Sequence, residues 1–255
     1  MNENRIIGKQ IELDENEVKK FFDERSKKPL PHLYNYTNYQ DKHPDLVLKR
    51  DLYEKEKICP LLNIKSDTRV LDIGCGVGRW ASTIISEGGT YVGIDYSETL
   101  LDLAKQGCER DALPTDRYEF ICASFQNLIK LLPKNHIKEK FDLILVNGVM
   151  VYVNDRDLSL CIANVDALLK VNGFLYVKEP VSYGERMTLQ NVYSEELSSY
   201  YSAIYRSAHE YEFLWKKFLD GYEMAYQGDL WEKGLKNRKE TAPYYWIMRK
   251  RGNKH

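Results

Sequence analysis

Val70-Leu71-Asp72-Ile73-Gly74-Cys75-Gly76-Val77-Gly78 is the stretch on which the fold turns. An apolar run carrying one acid passes straight into three glycines at alternate positions, the pattern of a buried strand closing in a tight turn. Arg79 to Glu87 then reads as a helix whose first N–H groups point back at that turn. Thr90 to Asp95 is a second strand, Glu98 to Gly107 a second helix, and Tyr118 to Ala123 a third strand. Phe141 to Val146, the helix Leu158 to Leu169 and the strand Gly173 to Glu179 continue the alternation. Strands and helices in this order make βαβ crossovers, so the fold class is α/β: a doubly wound, mostly parallel sheet covered on both faces.

The glycines allow a ligand close to the backbone, and Asp95 ends the second strand 21 residues after Gly74. In a βαβ unit that is where a carboxylate meets ribose hydroxyls, which indicates an adenosine-containing ligand. A dinucleotide fingerprint begun at Gly74 fails, because Arg79 stands where its third glycine belongs. Begun at Gly76 it matches in part, through Gly78 and Ala81, and keeps a nicotinamide-dependent oxidoreductase as an alternative. Asp72 argues the other way: a pyrophosphate has no use for a carboxylate there, whereas an ammonium group does.

Residues 70–78 resemble, nearly letter for letter, the first motif of class I S-adenosylmethionine-dependent methyltransferases, and Val92-Gly93-Ile94-Asp95-Tyr96-Ser97 fits the family's acidic second-strand end. The resemblance implies a seven-stranded Rossmann-like sheet over Arg69 to Arg249, with a last antiparallel strand. It implies that Asp72 and the backbone of Gly74, Cys75 and Gly76 serve the amino acid end of the cofactor, S-adenosylmethionine, with S-adenosylhomocysteine as product. Asp95 then takes the ribose, Tyr96 lies along the adenine, and Asn147 at the fourth strand's end faces the methyl donor. Many members carry an Asp near the end of the third strand. Here Cys122-Ala123-Ser124-Phe125 leaves Ser124, with Phe125, at the adenine.

Outside the sheet the sequence predicts two further parts. Residues 1–62 form an N-terminal helical cap: Asp14 to Lys28 carries Val18, Phe21 and Phe22 behind a capping signal, Tyr34 to Tyr39 is polar and aromatic, and Asp45 to Leu62 is a second helix. Residues 63–255 form the catalytic domain, in which the rhythm breaks over about 181–206, a substrate-cap insertion. Ser207 and Glu210 then start a helix running to about Leu219, and Tyr222 to Leu230 and Tyr244 to Lys250 are strands. Tyr39 and Arg50 from the cap are expected to close over the cofactor, Arg50 binding its carboxylate with Arg79 as competing donor.

Catalytic candidates are His209, in the first turn of a helix, and Glu179, ending a strand. Arg186, Arg206, Tyr36, Tyr201 and Tyr205 are candidates for binding an anionic acceptor, although such charges and aromatic clusters serve equally in pairing and packing. The nitrogen-methylating N-P-P-Y type motif is absent after the fourth strand, where Asn147-Gly148-Val149-Met150 stands. A balance of 37 basic to 38 acidic residues speaks against nucleic acid or membrane partners. A fainter resemblance, carried by Arg50 to Ile58 and Ala203 to Arg206, is to enzymes that methylate capsule precursors, including the O-methyl phosphoramidate group. The expected acceptor is therefore a small molecule, phosphorylated or nucleotide-linked, methylated on a sugar or phosphate-type oxygen. Alternatives are an N-methyltransferase of an amino sugar and a catalytically silent cofactor-binding subunit.

Five irregularly spaced cysteines predict neither disulfides nor a metal site. With no apolar signal core near the start, the expected location is the cytoplasm, as monomer or homodimer. The basic tail, Arg249 to Arg251 with Lys254, reads as a solvated end.

Overall fold

The structure, a computed structural model, describes residues 4–252; Lys254 lies outside them. In chain order the elements begin with strand β1 (Arg5–Ile7) and helices α1 (Glu15–Arg25), α2 (Asn35–Asn38) and α3 (Pro44–Leu62). The alternating part follows as β2 (Arg69–Ile73), α4 (Ala81–Ser86), β3 (Thr90–Asp95), α5 (Glu98–Arg110), β4 (Tyr118–Cys122), α6 (Leu128–Leu131), α7 (Lys134–Glu139), β5 (Phe141–Asn147) and α8 (Asp155–Leu168). The remainder is β6 (Leu169–Ser182), β7 (Met187–Ser194), β8 (Ser199–Tyr205), α9 (Ala208–Phe218), β9 (Tyr222–Asp229) and β10 (Thr241–Lys250). Among the described residues no helix is long and apolar enough to cross a membrane.

Seven strands form one sheet in the order β4-β3-β2-β5-β6-β10-β9, parallel from β4 through β6, with β10 antiparallel to both neighbours. Residue alternation along each strand feeds two layers. Leu71 and Ile73 pack with Leu158, Ile162 and Trp215 on one face, while Val70 packs with Ile58, Trp80 and Ile84 on the other. The strand order reverses between β2 and β5, and their carboxyl ends open the crevice where doubly wound sheets hold ligands.

Two capping signals legible in the sequence are formed. Asp14 accepts from the backbone N–H of Asn16 and Glu17 ahead of α1, and Ser207 and Glu210 make a reciprocal capping box ahead of α9. The segment 181–206, expected to be irregular, is instead ordered: β7 and β8 form a hairpin, and β1 adds to β7 as a three-stranded antiparallel sheet. Its signal was hidden because a register shift between Leu189 and Val192, with Asn191 at φ +50°, breaks the two-residue alternation. Helices α6 and α7 were also missed, being too short to show a helical period. A third apolar cluster joins Phe21 and Phe22 of α1 to Leu197, Tyr201 and Ile204 at the hairpin, and so sets a cover above the crevice.

Candidate cofactor and acceptor site

A cavity of about 470 Å³ opens at the carboxyl ends of β2, β3 and β5, roofed by α1, by the 37–40 segment and by residues 231–243. The glycine turn forms its floor. Gly74 (φ +68°) and Gly76 (φ +54°) hold left-handed conformations, and a Cβ would lie 2.2 Å from Val149 Cγ2 at the first and 2.3 Å from Thr37 Cγ2 at the second. The turn is therefore wedged between the segment after β5 and the cap, a fit that only glycine allows.

Asp95 is fixed by two backbone N–H groups, Gly76 to Oδ2 and Ser97 to Oδ1, each at 3.0 Å. Burial pushes its carboxyl up to about 6 against those bonds. Asp72 accepts from the Tyr91 hydroxyl at 2.7 Å through Oδ2, and burial raises it to about 7. Each oxygen of Asp95, and Oδ1 of Asp72, keeps acceptor capacity toward the cavity. Asn147 at the end of β5 and the Tyr96 hydroxyl are buried without any protein hydrogen-bond partner, both amide atoms of Asn147 included. Unmet buried groups cost about 1–3 kcal/mol each, so a polar ligand has a place prepared for it.

Tested against S-adenosylmethionine, these residues fit: two buried acids stand where an ammonium and a ribose need acceptors, and the unpaired amide of Asn147 stands at the end of β5, the strand next to that of Asp72. Gly74, Cys75, Asp72, Asp95, Tyr96, Ser124, Phe125, Asn147, Arg50 and Tyr39 all line the cavity. Gly76 does not; it contributes its N–H to Asp95 from behind. Ser124 is less available than expected, because its hydroxyl already accepts from Asn127 Nδ2 at 3.2 Å. Arg50 stacks 3.9 Å over Trp231 and donates to Leu235 O at 3.0 Å and Asn237 Oδ1 at 2.7 Å, and burial lowers it to about 10. Arg79, the competing donor, is spent on Asp51 (2.5 Å) and Glu54 (2.9 Å). Burial opposes ionisation of Glu54, but Arg79 and Lys178 overcome it and hold that carboxyl at about 2.

Several expected roles do not survive. His209 is exposed on α9 and does not line the cavity, so it cannot reach a reacting atom there. Glu179 is fully buried and its carboxylate accepts from Val149 N and Met150 N at 2.9 Å and Val151 N at 3.1 Å. It therefore positions the segment that presses on Gly74 and has no face toward the cavity. Arg206 donates to Met150 O and Val153 O at 2.7 Å and pairs with Asp155, while Arg186 pairs with Asp155 and with Glu210 at 2.9 Å. Both lie outside the cavity lining, and their carboxylates are internal. Tyr36 also lies outside, donating to Lys28 O at 2.7 Å.

Tyr201 and Tyr205 do line the cavity, with two residues sequence reading missed: Tyr152 and Arg238. Tyr152 follows the strand end at Asn147 by one short turn, a spacing that offered a signal. Arg238 lies in the irregular stretch before β10, which offered none. Phe21 and Phe22 set the tyrosine rings edge-on, at 5.4 Å from Tyr201 and 5.1 Å from Tyr152.

Comparison with known proteins supports the same reading. The ubiquinone biosynthesis O-methyltransferase of Pelagibacter ubique is 30% identical over 175 residues, 68% of this chain and 65% of that protein. Phosphoethanolamine N-methyltransferase 1 of Triticum aestivum is 20% identical over 64% of this chain and 32% of that protein, so the chain spans less than two thirds of either relative. Among solved structures, the phosphoethanolamine N-methyltransferase 1 of Haemonchus contortus, in complex with phosphoethanolamine and S-adenosylhomocysteine, superposes with a TM-score of 0.70 at 17% identity. That match covers 94% of this chain and 49% of the other. The magnesium protoporphyrin IX methyltransferase of Synechocystis PCC 6803 with bound S-adenosylmethionine gives 0.63 at 15% identity over 95% and 100%. The [4+2]-cyclase SpnF gives 0.62 at 16% over 96% and 99%, so the fold alone does not dictate methyl transfer. The sequence profile described as "Methyltransferase domain" matches residues 64–238, well over half of the chain, and the chain belongs to that family.

Proposed function

We propose that this chain transfers a methyl group from S-adenosylmethionine to an oxygen of a small polar acceptor, a sugar or a phosphate or phosphoramidate group in a capsule or surface-polysaccharide precursor. The observation that carries the first half is the convergence of Asp72, Asp95 and the unpartnered Asn147 amide on one cavity at the sheet's switch point. In this reading residues 1–62 act as a lid on a catalytic domain of residues 63–255, working in the cytoplasm.

When bound, the cofactor supplies an electrophilic methyl group on a sulfonium. Asp72 would orient the ammonium, Asp95 would hold the ribose hydroxyls, and the unpaired amide of Asn147 would take a further polar group of the cofactor. The covering segments exclude water and bring the acceptor oxygen into line, which is where most of the acceleration of an in-line displacement arises. Among the described residues no histidine lines the cavity, and burial raises the hydroxyls of Tyr39, Tyr152 and Tyr201, making them donors rather than bases. That supports an acceptor oxygen already ionised at neutral pH, as in a phosphate or phosphoramidate, over a sugar hydroxyl that needs a proton removed.

Thermal shift with S-adenosylhomocysteine against NADH separates this reading from an oxidoreductase, since only the former is expected to stabilise the fold. Isotope-labelled cofactor is then incubated with nucleotide sugars, phosphorylated sugars and amines. Transfer to oxygen supports the proposal, transfer to amines replaces it with N-methylation, and tight cofactor binding without any transfer leaves a silent subunit.

A further inference from the structure

Tyr39 from the cap, Tyr152 from the turn after β5, and Tyr201 and Tyr205 from β8 meet in the cavity lining. The Tyr205 hydroxyl donates to Tyr201 at 3.4 Å, the hydroxyls of Tyr201 and Tyr152 are 2.9 Å apart, and those of Tyr152 and Tyr39 are in contact. Each phenol has one proton to give, so a chain of hydroxyls always ends in one spare donor and one spare acceptor. Arg238 decides which end is which. Its guanidinium can only donate, and it lies against Tyr205. Protons therefore run Tyr205 to Tyr201 to Tyr152 to Tyr39, which leaves the Tyr39 O–H without an acceptor among the described residues.

The charges of the cavity are sorted in the same sense. Asp72 and Asp95 lie at the strand ends, whereas Arg238 and Arg50 lie under the 231–243 cover, and neither guanidinium makes an ion pair among the described residues. Of the other cations in the lining, Arg79 and Lys178 pair with Glu54 at 2.9 and 2.8 Å and Lys236 with Asp229 at 2.6 Å, while Lys19 stands on α1, away from the 231–243 cover. A cationic ligand suits one end and an anionic one the other.

We propose that Arg238, with Tyr39 at the far end of the hydroxyl chain, binds an oxyanionic group of the acceptor, a phosphate-type or carboxylate group held by the guanidinium and by the spare Tyr39 proton. This rests on the methyl-transfer reading above and names the acceptor's class within it. The chain makes recognition cooperative: Arg238 polarises Tyr205, and each donor strengthens the next.

The test is calorimetry on the full chain saturated with S-adenosylhomocysteine, titrated separately with inorganic phosphate and with acetate. Saturable binding of at least one is expected. Arg238→Gln should weaken it by about 10-fold or more and Tyr39→Phe by about 3- to 10-fold, the range of a charged and a neutral hydrogen bond. Arg238→Gln should bind S-adenosylhomocysteine within twofold of wild type, and both variants should keep the wild-type circular dichroism spectrum, which reports that they are folded. No binding of either anion, or unchanged binding in Arg238→Gln, overturns the subsite. Weaker cofactor binding in Arg238→Gln with anion binding intact assigns the guanidinium to the cofactor carboxylate and overturns it too. Failure of S-adenosylhomocysteine to bind wild type would instead sink the methyl-transfer reading, and anion titration of the unliganded chain still reads the subsite.

Discussion

Asp72→Asn tests the proposed cofactor end most directly, because asparagine keeps the shape and the acceptor for Tyr91 while removing the charge. The wild-type carboxyl is raised by burial from 3.8 to about 7, with the Tyr91 bond opposing. A group raised in the folded state contributes stability that is fully present below its unfolded value and lost as pH rises through its folded one. Between pH 5 and 8 the unliganded wild type should therefore lose about 2–3 kcal/mol through this group, at about 1.4 kcal/mol per unit. For a chain of this size that is a fall of roughly 4–12 °C in Tm, and Asp72→Asn should not show it. Binding should respond in the opposite sense. An ammonium favours the ionised carboxylate, so wild-type affinity for S-adenosylhomocysteine should rise about tenfold from pH 6 to 8, while the variant stays flat and binds roughly 10- to 100-fold more weakly at pH 8. Scanning calorimetry and titration calorimetry at three pH values measure both arms. A variant that binds as tightly as wild type at pH 8, or a wild-type affinity that does not move with pH, would refute the assignment of Asp72 to the cofactor.

Three further outcomes follow from the geometry. Gly74→Ala places a methyl 2.2 Å from Val149 at a positive φ, and is expected to cost about 1–3 kcal/mol in urea unfolding and to abolish cofactor binding. Glu179→Gln replaces one accepting oxygen with an NH2 group, so at least one of the three backbone N–H donors of residues 149–151 loses its acceptor; it should lower stability by about 2–3 kcal/mol and raise KM for the cofactor more than it lowers kcat. A base would give the reverse pattern. His209→Ala, on an exposed helix turn, should change Tm by no more than the equivalent of about 0.5 kcal/mol and leave kcat/KM unchanged.

The sheet was legible because its signals are local. Arg69–Ile73 and Thr90–Asp95 are apolar runs with turn residues at both ends, and those two strand ends are also where the acids of the site stand. Arg186 and Arg206 misled for the opposite reason: a buried Arg and a ligand-binding Arg look alike until the partner is seen, and Asp155, which neutralises both, is distant in the sequence. Glu179 likewise stands in β6 beside the crevice, before the proline that the sequence offered as the strand's end, but its partners are backbone N–H groups, which no sequence displays. Arg238 was missed because it lies before β10 in a stretch with no periodicity, and only the return of that strand brings it to Tyr205.

The position of β10 carries a consequence for biosynthesis. β10 follows every other strand of the sheet yet inserts one place in from its rim, and β9 pairs with it alone. A nascent chain that has emerged only as far as Asp229 thus carries a bare β6 rim and an orphan ribbon, a template for aggregation. Ribosome stalling or proteolytic clipping in the last stretch would be met by chaperones, and the yield of usable protein would be decided there rather than at the glycine turn.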